Sequence, residues 1–98
     1  MAAVEFRTSV DRLLNQIGHW DQGRWAANGR ADAVHALIQR LADRVADAEG
    51  RDPRPVPRDG DLVLPDQVRV MADDLLAAAG EPALQQAAAD VEAVRHTL

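Results

Sequence analysis

Apolar positions recur along this chain at helical spacing in four stretches, and a charged, proline-rich segment separates the second stretch from the third. In the first, Phe6, Val10, Leu13, Leu14, Ile17 and Trp20 share one face while Arg7, Asp11 and Asn15 lie away from it, which predicts a helix over about residues 4–19. Thr8 with Asp11 three residues on offers an alternative start that would leave Val4 and Phe6 extended. Gly18 weakens the helix near its finish, and Asp21-Gln22-Gly23-Arg24 reads as a turn between Trp20 and Trp25. Asn28-Gly29 supplies turn chemistry before the second helix, with Asp32 in the first turn, where the helix dipole favours a negative charge.

Val34, Leu37, Ile38, Leu41, Val45 and Ala48 form the second stripe, giving a helix over about 30–49 that Gly50 ends. Residues 50–64 form a connection in which Pro53, Pro55 and Pro57 deny backbone donors and hold their neighbours extended. Leu62-Val63-Leu64 is expected to lie extended across the helices. Pro65 suits a first helical position, and Val68, Met71, Ala72, Leu75, Leu76 and Ala79 make the third stripe, over about 65–79. Gly80 closes that helix, and Glu81-Pro82 opens a fourth over about 82–97, with Leu84, Ala87, Ala88, Val91, Val94 and Leu98 on its face. The short joint between helices three and four predicts an antiparallel pair. The pattern therefore predicts an all-α fold in a single domain, residues 1–98. The expected form is a four-helix bundle built from two helical hairpins joined by the long Pro/Arg/Asp-rich connection.

Composition thins the core that such a bundle can have. Of the hydrophobic residues 19 are alanine, which favours helix but buries little, leaving 27 bulky ones across four helices. Apolar surface is then left over at Val63 and Val70, and a homodimer follows as an expectation. The 11 cations are all arginine, a usage that reads as base-composition bias rather than as selection for phosphate contacts. Nine arginines against eight acids give +1 through Arg58, whereas two against eight give −6 from Asp59 onward. This acidic half, with no basic helix face and no aromatic platform, argues against nucleic-acid binding. Without cysteine, disulfide and thiolate chemistry are excluded. No export signal and no apolar run of membrane-spanning length stand out, so the expected location is cytoplasmic, with no membrane partner.

Candidate chemistry is concentrated in Gly18-His19-Trp20-Asp21-Gln22-Gly23-Arg24-Trp25. A histidine can act as base or ligand near neutral pH, an aspartate can orient it, an arginine can hold an anion, and tryptophan faces accept apolar or cationic groups. Against this, Trp20 continues the first stripe and belongs in the core, Trp25 plugs the bundle end, and His19 and Arg24 then project to solvent. His35, at the edge of the second stripe, is the group that an antiparallel first helix brings near His19 or Asp21. A ligand-binding or metal-assisted site at His19, Asp21, Arg24 and His35 under the two tryptophans is therefore the alternative reading. No two histidines share a helix face at spacing three or four, so no metal set, catalytic residue or cofactor is assigned.

The stretch from Trp25 to about Leu41, a tryptophan followed by a helix with an early histidine, resembles the metal-dependent four-helix DinB-like proteins, which include thiol-dependent transferases. The chain departs from that family in lacking the later paired histidines and in being shorter, so His35 alone is carried over. The resemblance is one of fold.

Arg51, Arg54 and Arg58 lie among the prolines and can face an acidic surface or a phosphate. The plainer reading is that Asp52, Asp59 and Asp61 neutralise them and that Val56 packs on the helices. Asp73-Asp74 are adjacent, about 100 degrees apart on a helix, and are read as solvated. The function expected is that of a small interaction or oligomerisation module, with Val63 and Val70 in self-association and Arg51, Arg54 and Arg58 in polar partner contacts.

Overall fold

A computed structural model describes all 98 residues, and it is all-helical. The elements are α1 (Ala2–Ile17), α2 (Gln22–Ala26), α3 (Arg30–Ala48), α4 (Leu64–Ala78) and α5 (Glu81–Arg95), with a single 3-10 turn at Asp61–Val63. No helix is long and apolar enough to cross a membrane.

The four stripes become the core. Phe6, Leu13, Ile17, Val34, Leu37, Ile38, Leu41, Val68, Leu75, Ala87 and Val91 are fully buried in one cluster. Met71, Leu76 and Leu98 are only partly buried against it, and on α3 Ala46 is buried where the pattern pointed to Ala48.

α1 starts earlier than expected because its first turn is held from outside. The Glu81 carboxylate accepts from the Ala2 amide at 3.2 Å, which satisfies a donor the helix cannot. Thr8 does not cap; its hydroxyl donates to the Val4 carbonyl at 2.9 Å inside the helix. Asp21 to Arg24 is likewise not a turn. Asp21 Oδ1 accepts from the Arg24 amide at 2.9 Å as the N-cap of α2, and the buried Trp25 anchors that short helix. Leu62-Val63-Leu64 is helical rather than extended, and only Leu64 is buried.

Helices adjacent in the chain are not the ones that pack together. α1 packs most extensively along α5, and α3 along α4, with thinner α1–α4 and α3–α5 contacts. Both main pairs run parallel. At one end of the first pair Ala2 meets Glu81, and at the other Gln16 Nε2 donates to the Arg95 carbonyl at 3.4 Å. For the second pair, Arg58 bridges Asp32 near the start of α3 and Asp61 just before α4, while Asp47 and Ala48 lie with Ala78 and Ala79 around one cleft at the other end. The expected pair of helical hairpins is therefore corrected. The joint after α4 explains part of this: Ala79 (φ −100°, ψ 151°) and Gly80 (φ −88°, ψ −179°) are both extended, so the chain leaves α4 without a tight reversal and Gly80 serves as the N-cap of α5.

A parallel α3–α4 pair needs a long return, and residues 51–60 supply it. α3 ends at Gly50 (φ +70°), with the Arg51 amide donating to the Ala46 carbonyl at 2.9 Å, a left-handed helix end that glycine adopts without strain. From there the strap runs back along α3. Arg54 and Val56 meet Gln39, Val56 meets His35, and Arg58 meets Asp32. From Ala46 to Asp32 a helix rises about 21 Å, and Arg51 to Arg58 spans about 22 Å as polyproline II backbone. The alternate prolines thus hold the strap at a stretch that matches the helix it retraces.

Candidate functional site

The loop after α1 and the starts of α2 and α3 bound an open cleft of about 540 Å³ lined by His19, Trp20, Asp21, Arg24 and Arg30. Trp20 and Trp25 are both buried, with ring centroids 4.9 Å apart and planes at 72°, an edge-to-face pair that closes this end of the core. Arg24 does not simply project to solvent: its guanidinium carbon lies 5.3 Å from the Trp20 ring centroid, and that of Arg30 lies 5.5 Å from it. Arg30 Nη1 also donates to the Arg24 carbonyl at 3.2 Å, which ties α3 to α2. His19 is exposed at the rim, and Asp21 is committed to its cap.

His35 does not join this group. Its Nε2 lies 3.0 Å from the Val56 carbonyl, and because a carbonyl only accepts, that nitrogen carries the proton and donates. His35 is thus a half-buried packing residue that fastens the strap, and the pocket expected between it, His19 and the tryptophans does not form. Arg30, which sequence reasoning passed over, takes the place expected for His35. Its only sequence signal was a cation at the first position of a helix, where the dipole disfavours one.

The second group of candidates lies on the outer face of α4. Val63 and Val70 are exposed, as expected, and Leu62 joins them at 60% exposure. Val63, Asp66, Val70, Asp73 and Ala77 follow one another at alternating spacings of three and four, a heptad stripe turned away from the core. Asp66, Asp73 and Asp74 enter no ion pair.

The strap arginines are neutralised differently from the expectation. Arg51 pairs with Glu49 at 2.6 Å, and Arg58 with Asp32 at 3.1 Å and Asp61 at 3.8 Å, so Asp52 and Asp59 play no part. Arg54 has no ion-pair partner. Between strap and α4 lies a groove of about 170 Å³ bordered by Arg51, Arg54, Val56, Met71 and Asp74, and Val56 is buried beneath it as the sequence suggested.

No protein-family model, no curated protein and no solved structure matches this chain.

Proposed function

We propose that this chain is a small cytoplasmic four-helix bundle that acts as an oligomerisation module, with a second copy of itself as partner. The observation that carries the reading is the outward stripe of Val63 and Val70, running from the 3-10 turn onto α4 with the exposed Leu62 beside it, flanked by Asp66, Asp73 and Asp74, which have no counterion. An apolar stripe flanked by unneutralised acids asks for a surface that is apolar at its centre and cationic at its edge. The chain carries such an edge beside the same stripe: Arg51 and Arg54 border the groove that Met71 and Asp74 share.

A twofold arrangement uses both at once. In an isologous contact each patch meets its own image, so Val70 packs near Val70 and Asp66, Asp73 and Asp74 of each copy face the unpaired Arg54 of the other, with Arg51, already on Glu49, beside it. Arg58 already holds two carboxylates and contributes least.

Sedimentation across a concentration series tests the reading. The expected result is a monomer–dimer equilibrium in the micromolar range that weakens with salt, with Val70→Asp and Arg54→Glu each shifting it to monomer. A strictly monomeric species at several hundred micromolar would remove self-association.

A further inference from the structure

The cleft over Trp20 has a chemistry of its own that dimerisation does not use. Two guanidinium groups from different helices, Arg24 on α2 and Arg30 on α3, sit over one indole, and neither has a carboxylate partner within ion-pair distance. Asp21 also lines the cleft, and its Oδ1 accepts from the Arg24 amide at 2.9 Å as the cap of α2. Asp32, in the first turn of α3, is drawn instead to Arg58 at 3.1 Å. Arg30 opens α3 at the positive end of the helix dipole, and the N-cap, Gly29, offers no side chain to that end. In a chain with net charge −5, this is a concave spot where two guanidinium groups gather, and Asp21, the one carboxylate on its lining, makes no ion pair with either.

We propose that the cleft lined by His19, Trp20, Asp21, Arg24 and Arg30 binds the phosphate group of a small phosphate monoester, held by the two arginines on the side away from the Asp21 cap. Contact with the indole restrains both guanidinium groups, and apart from the Arg30 Nη1 bond to the Arg24 carbonyl their N–H groups are free to grip an oxyanion. A phosphate monoester is a tetrahedral dianion, so its oxygens reach two forks approaching from different helices and its charge balances both. A carboxylate has one charge and one plane and satisfies only one of them. His19 at the rim adds a ring N–H donor. At about 540 Å³ the cleft holds more than a bare ion, leaving room for a sugar-sized organic part.

The test uses the full chain at constant ionic strength and follows tryptophan fluorescence together with the arginine Nε–H and indole N–H resonances. Ribose 5-phosphate, inorganic phosphate and acetate are the three probes. The expected result is a saturable response to both phosphates, confined to Arg24, Arg30 and Trp20, with ribose 5-phosphate binding more tightly than the inorganic ion. Arg24→Gln and Arg30→Gln each weaken it about tenfold or more, Arg24→Lys weakens it although charge is kept, and Arg40→Gln changes nothing. Because Arg30 also bonds the Arg24 carbonyl, Arg30→Gln is read only with an unchanged melting curve; both Arg24 variants keep that bond and test the site without it. Absence of saturation at up to roughly 20 mM overturns the proposal, as does a response that survives in Arg24→Gln. An acetate response equal to that of phosphate overturns the assignment to phosphate.

Discussion

Gln39 carries out the task that a partner strand performs in a sheet. Its Oε1 accepts from the Val56 amide at 2.8 Å while its Nε2 donates to the Arg54 carbonyl at 3.0 Å, so one side chain satisfies two backbone groups of a strap that has no ladder. Replacing it by alanine leaves a part-buried amide and a carbonyl unpaired, and Gln39→Ala is expected to cost about 1–3 kcal/mol in urea unfolding. Gln39→Glu keeps the acceptor and loses the donor, so hydrogen exchange at Val56 should stay slower in that variant than in Gln39→Ala. Trp25 closes the core end at 1% exposure, and Trp25→Ala is expected to cost about 3–5 kcal/mol, measured in the same way. The burial of both tryptophans was legible in the sequence, since Trp20 sits on a stripe and Trp25, after the polar Asp21–Arg24 segment, is placed to plug the bundle end. The roles of Gln39, Arg30 and His35 were not. Each depends on which backbone passes over α3, and that is a tertiary fact with no periodic trace.

Among the elements, the existence and type of the four longer helices could be read from apolar period alone, and their boundaries differ from expectation by one or two residues. α2 was missed because five residues offer a single buried position, Trp25, and so no period; its one local sign was the Asp21 cap. The prolines make the strap legible as non-helical; of the three aspartates expected to neutralise its arginines Asp61 does so, while Glu49 and Asp32 take the places expected for Asp52 and Asp59. Its exit is the most constrained backbone in the chain. Gly60 has φ +111° and ψ 150°, a region nearly closed to residues with a Cβ, although an added Cβ would meet nothing within 4 Å. Gly60→Ala should therefore destabilise through backbone conformation alone, by about 1–3 kcal/mol in a denaturant melt. A loss below about 0.5 kcal/mol would count against the assignment.

At the scale of the whole molecule, cross-pairing changes what counts as a folding unit. Two hairpins would make residues 1–50 and 51–98 separately stable halves. Here α1 finds its main partner in α5 and α3 in α4, so each half lacks the surface that buries its stripes. Both fragments are expected to be largely unfolded alone by circular dichroism and to regain helix when mixed. Independent folding of residues 1–50 would contradict the packing. The Cα radius of gyration of 12.8 Å is close to the about 13 Å usual for a compact chain of this size.

The strap also acts as a gauge on its own helix. It advances two residues, Val56 to Arg58, while α3 passes from the level of His35 and Gln39 to that of Asp32, so roughly 6 Å of extended chain is matched to about one turn of helix. The lengths of α3 and of the proline segment are then not free to vary separately. Removing one turn from α3 leaves two strap residues in excess, and removing Pro53-Arg54 alone pulls Arg58 off Asp32. Only the paired deletion keeps α4 in register, so changes of length in related chains should come as four residues in the helix with two in the strap.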